Sequence, residues 1–141
     1  LTLEDLGEAA AAGHLPRLAV ANPEPAPYGR AAREALQASG VWEALQPALV
    51  FGENVSQAAQ FALSGAAQGG LVAHSLVLAP TMEGRGEYAL IDEALHVPLR
   101  QRMVLTRKAG PVAEAFYDYL QSEEARALLE RYGFALPDGA E

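Results

Sequence analysis

Short apolar runs alternate with alanine-rich amphipathic stretches along the chain. The runs at residues 18–21 and 48–51 are each four residues long and each end at turn-forming residues, which predicts two buried strands. A similar run at residues 70–73 predicts a third strand. Residues 88–91 and 103–105 predict a fourth and a fifth strand.

Two helices are predicted between these strands. The first begins near Tyr28, after three prolines that hold the chain extended, and ends at Gly40. The second is capped by Asn54 or Ser56 and ends near Gly65. Strands that alternate with helices through short connections are typical of an α/β fold.

Both ends of the chain are also rich in helix formers. Residues 1–12 are expected to form either a helix or a mobile arm. Near the other end, Pro111 lies in the first turn of one predicted helix and Ser122 caps another.

The composition excludes several classes of function. The chain has 141 residues, and its net charge of -8 argues against nucleic acid as a partner. It contains no cysteine, and its three histidines are scattered, so thiolate and His-rich metal sites are not expected. The sequence has no G-x-S-x-G elbow, no P-loop and no evident pair of catalytic carboxylates, so we do not expect an enzyme.

The candidate chemistry lies at two strand–loop–helix junctions, at residues 18–28 and 49–56. The N-terminus of a helix offers unpaired N–H groups and the positive end of the helix dipole, so two such ends aimed at one point bind an anion. Most junctions of this kind in α/β proteins bind nothing, and on geometry alone the ordinary connection is favoured.

The residues at these junctions form unusual motifs. Residues 21–32 (ANPEPAPYGRAA) and 51–58 (FGENVSQA) closely resemble the molybdate-binding periplasmic proteins of ABC transporters. Further agreement comes from residues 70–75, 98–101 and 115–120. The resemblance extends over residues 15–137.

The resemblance implies a fold like that of the type II periplasmic binding proteins, an α/β "Venus flytrap" with two lobes. Residues 17–98 would form one complete lobe, and residues 1–16 and 99–141 the C-terminal part of the other. A hinge would lie at the strands that cross between the lobes. The hinge residues expected are Ala21, Asn22, Val97 and Pro98.

The resemblance also implies a ligand and the residues that hold it. Tyr28 and Val55 would each donate a backbone N–H to a molybdate or tungstate oxyanion, the only form in which a metal is expected, and no separate cofactor is implied. Asn54 and Ser56 would lie just behind them. One branch of the family adds a tyrosine hydroxyl at a position where this chain has Ala73.

The family's first lobe contributes serine-bearing loops that have no counterpart in these residues. We therefore expect impaired anion binding by the chain alone, and a homo-oligomer or a domain-swapped dimer. The resemblance implies export to the periplasm, although the chain has no signal-peptide pattern, and delivery of the ligand to an ABC permease. Two alternatives remain open: the effector-sensing domain of a transcription regulator, and an interaction module completed by another chain.

Three other features have a functional and a structural interpretation. His74 lies near the expected cleft, but a solvated or hydrogen-bonded histidine is favoured over a ligand contact. Trp42 belongs to an apolar cluster and is expected to pack. The basic stretch at residues 100–108 is expected to be a solvated strand edge, although it could also steer anions.

Overall fold

A computed structural model describes residues 2–136, and its sheet has three parallel strands. They are β1 (Leu18–Ala21), β2 (Leu49–Gly52) and β3 (Gly69–Gly70), in the order β2-β1-β3. The register pairs Ala21 with Gly52, so β1 and β2 end side by side. The predicted α/β fold is confirmed.

Seven α-helices are present among the described residues, and most follow from the sequence pattern. The three helices of nine or more residues in the first half of the chain, and the two near the C-terminus, are amphipathic or begin at an identifiable cap. The helices are α1 (Leu3–Ala11), α2 (Pro27–Ala38), α3 (Trp42–Leu45), α4 (Val55–Leu63), α5 (His74–Val77), α6 (Pro111–Tyr119) and α7 (Glu123–Arg131).

Strand β1 is buried on both faces because a helix covers each of them. Leu18 and Val20 belong to one apolar cluster, together with Leu36 of α2. Ala19 belongs to a second cluster, together with Ala58 of α4. Successive residues of a strand point to opposite faces, so α2 and α4 pack on opposite sides of the sheet.

The N-terminal segment forms a helix, one of the two conformations expected for it. Thr2 caps α1 in a reciprocal hydrogen-bonding pair with Asp5, in which each side chain accepts from the other residue's backbone N–H. Gly7 allows a close crossing with the segment before α3, because a Cβ at this position would lie 2.8 Å from Val41 Cγ1. Helix α1 therefore packs into the same apolar cluster as β1.

The fourth and fifth strands predicted from the sequence are wrong. Residues 88–91 and 103–105 have no regular secondary structure. A strand needs a neighbour for its backbone hydrogen bonds, and none of the described residues supplies one to either segment. The predicted third strand is also shorter than expected, at Gly69–Gly70.

The chain divides into two compact units, one up to Leu99 and the other from Arg100 onward. The second unit contains α6 and α7, and both begin as predicted, with Pro111 in the first turn of α6 and Ser122 as the cap of α7. The assignment of residues 17–98 to one lobe and of residues 1–16 and 99–141 to another stays a prediction, and residues 1 and 137–141 lie outside the described residues. Within the described part, no helix is long and apolar enough to cross a membrane.

Candidate functional site

The two junctions singled out in the sequence lie at the carboxyl ends of neighbouring strands. The N–H of Asn22, directly after β1, donates to the carbonyl of Gly52 at the end of β2, over 2.7 Å. Helix α2 begins five residues after Asn22, and α4 begins three residues after Gly52. The crevice at the carboxyl ends of parallel strands, where helices depart to opposite faces, is the usual ligand site of open α/β sheets.

The start of α2 is shaped by Asn22 and the prolines. The Asn22 side-chain oxygen accepts the N–H of Glu24 at 3.0 Å, and its carbonyl accepts the N–H of Ala26 at 3.1 Å. This turn reverses the chain into the helix, whose first residue is Pro27. Proline suits this position because its fixed φ is helical and its missing N–H would have no helical partner.

Gly29 lets the first turn of α2 lie directly on the end of β1. A Cβ at this position would lie 2.6 Å from the carbonyl carbon and oxygen of Asn22, and closer still to the carbonyl oxygen of Ala21. All of these atoms belong to the backbone and cannot rotate away. Only glycine fits at this position, and it allows the N-terminus of α2 to lie against the end of β1.

The start of α4 is held by a reciprocal pair of side chains. The Asn54 side-chain oxygen accepts the N–H of Gln57 at 3.0 Å, and the Gln57 side-chain oxygen accepts the N–H of Glu53 at 2.7 Å. Of the two predicted caps, Asn54 is therefore the one that is used. Gly52 permits this tight approach, since a Cβ there would lie 2.8 Å from the backbone nitrogen of Ala58.

Four backbone N–H groups at these helix starts have no hydrogen-bond partner within residues 2–136. They belong to Tyr28 and Gly29 in α2, and to Val55 and Ser56 in α4. Such N–H groups carry the positive end of the helix dipole and are suited to an anion. Of the predicted ligand residues, Tyr28 and Val55 thus lie in the first turns of two helices that start at adjacent strands.

The acidic side chains near the junctions are exposed, and one is neutralised. The Glu24 carboxylate pairs with the guanidinium of Arg33 at 3.3 Å, and Arg30 donates to the Glu24 carbonyl at 3.4 Å. Glu53 is exposed. Exposed carboxylates are screened by solvent and salt, whereas the helix N–H groups act at contact distance.

The end of β3 leads to the same edge of the sheet but offers a different chemistry. Leu71 N–H donates to the Ala19 carbonyl at 2.9 Å, which continues the alignment with β1. Ala73, which follows two residues later, is buried and has no polar side chain. The ring of His74 lies 5.6 Å from that of Tyr88, centroid to centroid, so this histidine has an aromatic neighbour.

Two of the four hinge residues predicted from the sequence, Asn22 and Val97, donate their backbone N–H groups to residues of the first unit. Asn22 is bonded to β2 as described, and the N–H of Val97 donates to the Glu34 carboxylate of α2 at 2.8 Å. Glu34, Gln57 and Gly29 also make contacts that hold this part of the chain, and of the three only Glu34 has no local signal in the sequence. Gln57 lies three residues after Asn54, the spacing of a capping box, and a glycine such as Gly29 weakens a helix unless close packing requires it.

Among residues 2–136 there is no cluster of three or more histidine and carboxylate side chains that could hold a metal ion. The donors at the two helix starts are neutral N–H groups, which cannot coordinate a bare cation. They can bind an oxyanion.

Comparison with known proteins places this geometry in context. A family model described as "Bacterial extracellular solute-binding protein" matches residues 1–135. This family is defined by binding a solute, not by catalysis. Its extracellular setting also favours a receptor over the effector-sensing domain of a transcription regulator.

The chain is similar to two proteins named molybdate-binding protein ModA. It is 39% identical over 122 residues to the one from Rhodobacter capsulatus, which covers 85% of this chain and 47% of that protein. It is 35% identical over 136 residues to the one from Azotobacter vinelandii, which covers 95% of this chain and 54% of that protein. The chain thus spans about half the length of these relatives.

A solved structure agrees with this similarity. The periplasmic molybdate-binding protein of Azotobacter vinelandii matches with a TM-score of 0.83 and 28% identity, over 94% of this chain and 59% of that one. The resemblance to molybdate-binding proteins found in the sequence motifs is confirmed.

Proposed function

The chain belongs to the family of bacterial extracellular solute-binding proteins, and we propose that it binds a tetrahedral oxyanion, molybdate or tungstate, at the starts of α2 and α4. One observation carries the proposal: two helix N-termini with unpartnered N–H groups leave adjacent strand ends. The relatives named for molybdate support the identity of the anion.

The donors we propose are the N–H groups of Tyr28 and Val55, with Asn54 and Ser56 directly beside them. Asn54 keeps the first turn of α4 in place as its cap. A cage of donors disfavours a protonated anion such as hydrogen phosphate, because that anion needs an acceptor for its own proton. Molybdate and tungstate would be separated from the smaller sulfate by the radius of the cage.

In the cell we propose that the protein acts in the periplasm and delivers its anion to the permease of an ABC importer. Closure on the ligand would bend the chain at Ala21, Asn22, Val97 and Pro98. Because this chain spans about half the length of its relatives, we expect these 141 residues alone to bind more weakly than a relative of full length. Each charge-assisted hydrogen bond is worth about 1.5–3 kcal/mol, so the loss of several donors costs orders of magnitude in affinity.

Amide-resolved NMR tests the proposal even where binding is weak. Titration of the ¹⁵N-labelled chain with sodium molybdate or tungstate should shift the amide signals of Tyr28, Gly29, Val55 and Ser56 first, while sodium sulfate at equal ionic strength should not. No shift at these amides at millimolar molybdate, or the same shifts with sulfate, would contradict it.

A further inference from the structure

The helices of nine or more residues differ in the charge at their N-termini. Acidic side chains lie in the first turn of α1, α6 and α7. Acids are favourable there because they face the positive end of the helix dipole. The first turns of α2 and α4 contain no acid. The two helices that start at adjacent strand ends are therefore the two that have no carboxylate of their own at this position.

Helix α2 carries its positive charges toward this same end. Arg30 and Arg33 lie in its first two turns, and its last turn contains no basic residue. A cation is favoured near the C-terminus of a helix and disfavoured near the N-terminus, so both arginines lie toward the unfavourable end. Departures of this kind from local preference are expected at functional sites.

The guanidinium groups of the two arginines have different partners. That of Arg33 pairs with the Glu24 carboxylate at 3.3 Å, so its charge is compensated. That of Arg30 donates to the backbone carbonyl of Glu24 at 3.4 Å. A carbonyl carries no net charge, and within residues 2–136 no carboxylate forms an ion pair with Arg30. Arg30 therefore places an uncompensated positive charge beside the turn that leads into α2.

The contact with Glu24 also tells where the Arg30 charge lies. Glu24 precedes Tyr28 by four residues, so the Arg30 side chain extends back toward the start of the helix. The N–H groups of Tyr28 and Gly29, which have no partner among the described residues, lie at this end of α2. Four residues of a folded turn span a distance on the order of the Debye length, about 8–10 Å. The charge therefore acts through space on an anion held at these N–H groups.

From these contacts we infer that Arg30 makes the site prefer a doubly charged oxyanion to a singly charged one of similar size. The inference rests on the proposed anion site and gives Arg30 no contact with the anion, which the N–H groups hold. The Coulomb energy between Arg30 and the anion is proportional to the charge of the anion. Removing the Arg30 charge should therefore weaken a monoanion only by the square root of the factor by which it weakens a dianion.

Tungstate and perrhenate provide the test, because they are tetrahedral oxyanions of similar size that carry two negative charges and one. The whole chain is titrated at low ionic strength and followed at the amides of Val55 and Ser56, which lie on the other helix from Arg30. Wild type should bind tungstate more tightly. Arg30→Gln should weaken tungstate about fivefold and perrhenate about twofold. Arg30→Lys keeps the charge and should retain most of the affinity, and about 0.5 M NaCl should remove most of the effect of Arg30→Gln.

Arg17→Gln is the matched control. It removes the same charge from an exposed arginine directly before β1, at the opposite end of that strand from the two helix starts, and should leave both affinities nearly unchanged. Equal weakening of the two anions in Arg30→Gln would show that Arg30 only holds the turn before α2, and would overturn the inference. Unchanged affinities in that variant would overturn it as well. A wild-type chain that binds neither anion would contradict the proposed site itself, and this inference with it.

Discussion

The carboxylate of Glu34, in the middle of α2, accepts the backbone N–H of Val97 at 2.8 Å. This hydrogen bond joins positions 63 residues apart and connects one of the predicted hinge residues to the helix whose first turn carries Tyr28. Val97 is otherwise 69% exposed, so its neighbours contribute little to holding it. The bond ties Val97 to α2 next to Leu95, which packs against the apolar cluster that contains Leu36 of the same helix.

Replacing Glu34 with alanine should free Val97. The loss of one hydrogen bond to a partly exposed carboxylate costs about 1 kcal/mol, so we expect the Val97 amide to exchange with solvent roughly fivefold faster. Amide hydrogen exchange measured by NMR checks this. Glu34→Gln keeps an oxygen acceptor and should preserve most of the protection; equal exchange in wild type and Glu34→Ala would show that the bond does not hold the segment.

Replacing Gly29 with alanine should destabilise the protein. The new Cβ collides with backbone carbonyl groups of Ala21 and Asn22, so α2 must move away from β1, and we expect the free energy of unfolding to fall by about 3 kcal/mol. Urea unfolding followed by Trp42 fluorescence measures the change.

Gly7→Ala is the control for the Gly29 variant. Its Cβ meets side-chain atoms of Val41, at 2.8 Å from Cγ1 and 3.0 Å from Cβ, and not the backbone, so a small shift of α1 relieves the contact and the better helix propensity of alanine offsets part of the cost. We expect the free energy of unfolding to change by less than about 1 kcal/mol. Equal losses of unfolding free energy in the two variants would mean that the contact of α2 with the β1 backbone does not require glycine more strongly than the contact of α1 with Val41 does.

Replacing Val55 with proline should remove one proposed ligand donor and leave the helix intact. Val55 is the first residue of α4, where proline is well tolerated, and Asn54 before it has the extended backbone that a following proline requires, with φ -149° and ψ 173°. We expect the affinity for molybdate to fall about 10–100-fold, the value of one charge-assisted hydrogen bond.

Calorimetry or NMR titration with sodium molybdate measures that loss. Val55→Ala keeps the N–H and removes most of the side chain, so its affinity should stay close to that of the wild type. If the alanine variant loses as much affinity as the proline variant, the side chain of Val55 matters and its N–H does not.

Two substitutions at Asn54 should separate stability from binding. Asn54→Ala removes the cap of α4 and should lower the free energy of unfolding by about 1 kcal/mol. Asn54→Asp keeps a capping oxygen and adds a negative charge at the positive end of the helix, so stability should be maintained. The same charge should repel an oxyanion at the neighbouring N–H groups and lower the affinity for molybdate at least tenfold. Thermal unfolding and molybdate titration, run on both variants, test the two effects; unchanged affinity in Asn54→Asp would place the anion elsewhere.

The sequence predicted the elements of the sheet where local pattern and packing agree. Strand β1 is apolar throughout and lies between two helices, and the starts of α2 and α4 are marked by proline and asparagine. The predictions failed at residues 88–91 and 103–105, because the preference for a strand is local whereas its hydrogen bonds need a second strand.

The candidate site stays a prediction, but the helix starts that it uses do follow from local sequence. The motifs of residues 21–32 and 51–58 contain the starts of α2 and α4, and the structure adds how these starts are held. The Glu34 to Val97 hydrogen bond joins residues 63 positions apart, so no local spacing in the sequence could reveal it. The Gln57 to Glu53 hydrogen bond is local, and Gln57 lies three residues after the cap Asn54, which is the spacing of a capping box.

The unpartnered groups at the starts of α2 and α4 are main-chain amides, and this has a genetic consequence. Alanine scanning leaves every one of these amides in place, so alanine substitutions of Tyr28, Val55 and Ser56 would be scored as having no effect on anion binding. The substitutions that such a survey would flag are at Gly29 and Gly52, whose effect is to shift the helices that carry the donors. A binding site made of main-chain amides thus constrains the sequence through the shape of the backbone, which at these two helix starts depends on Gly29, Gly52 and Pro27.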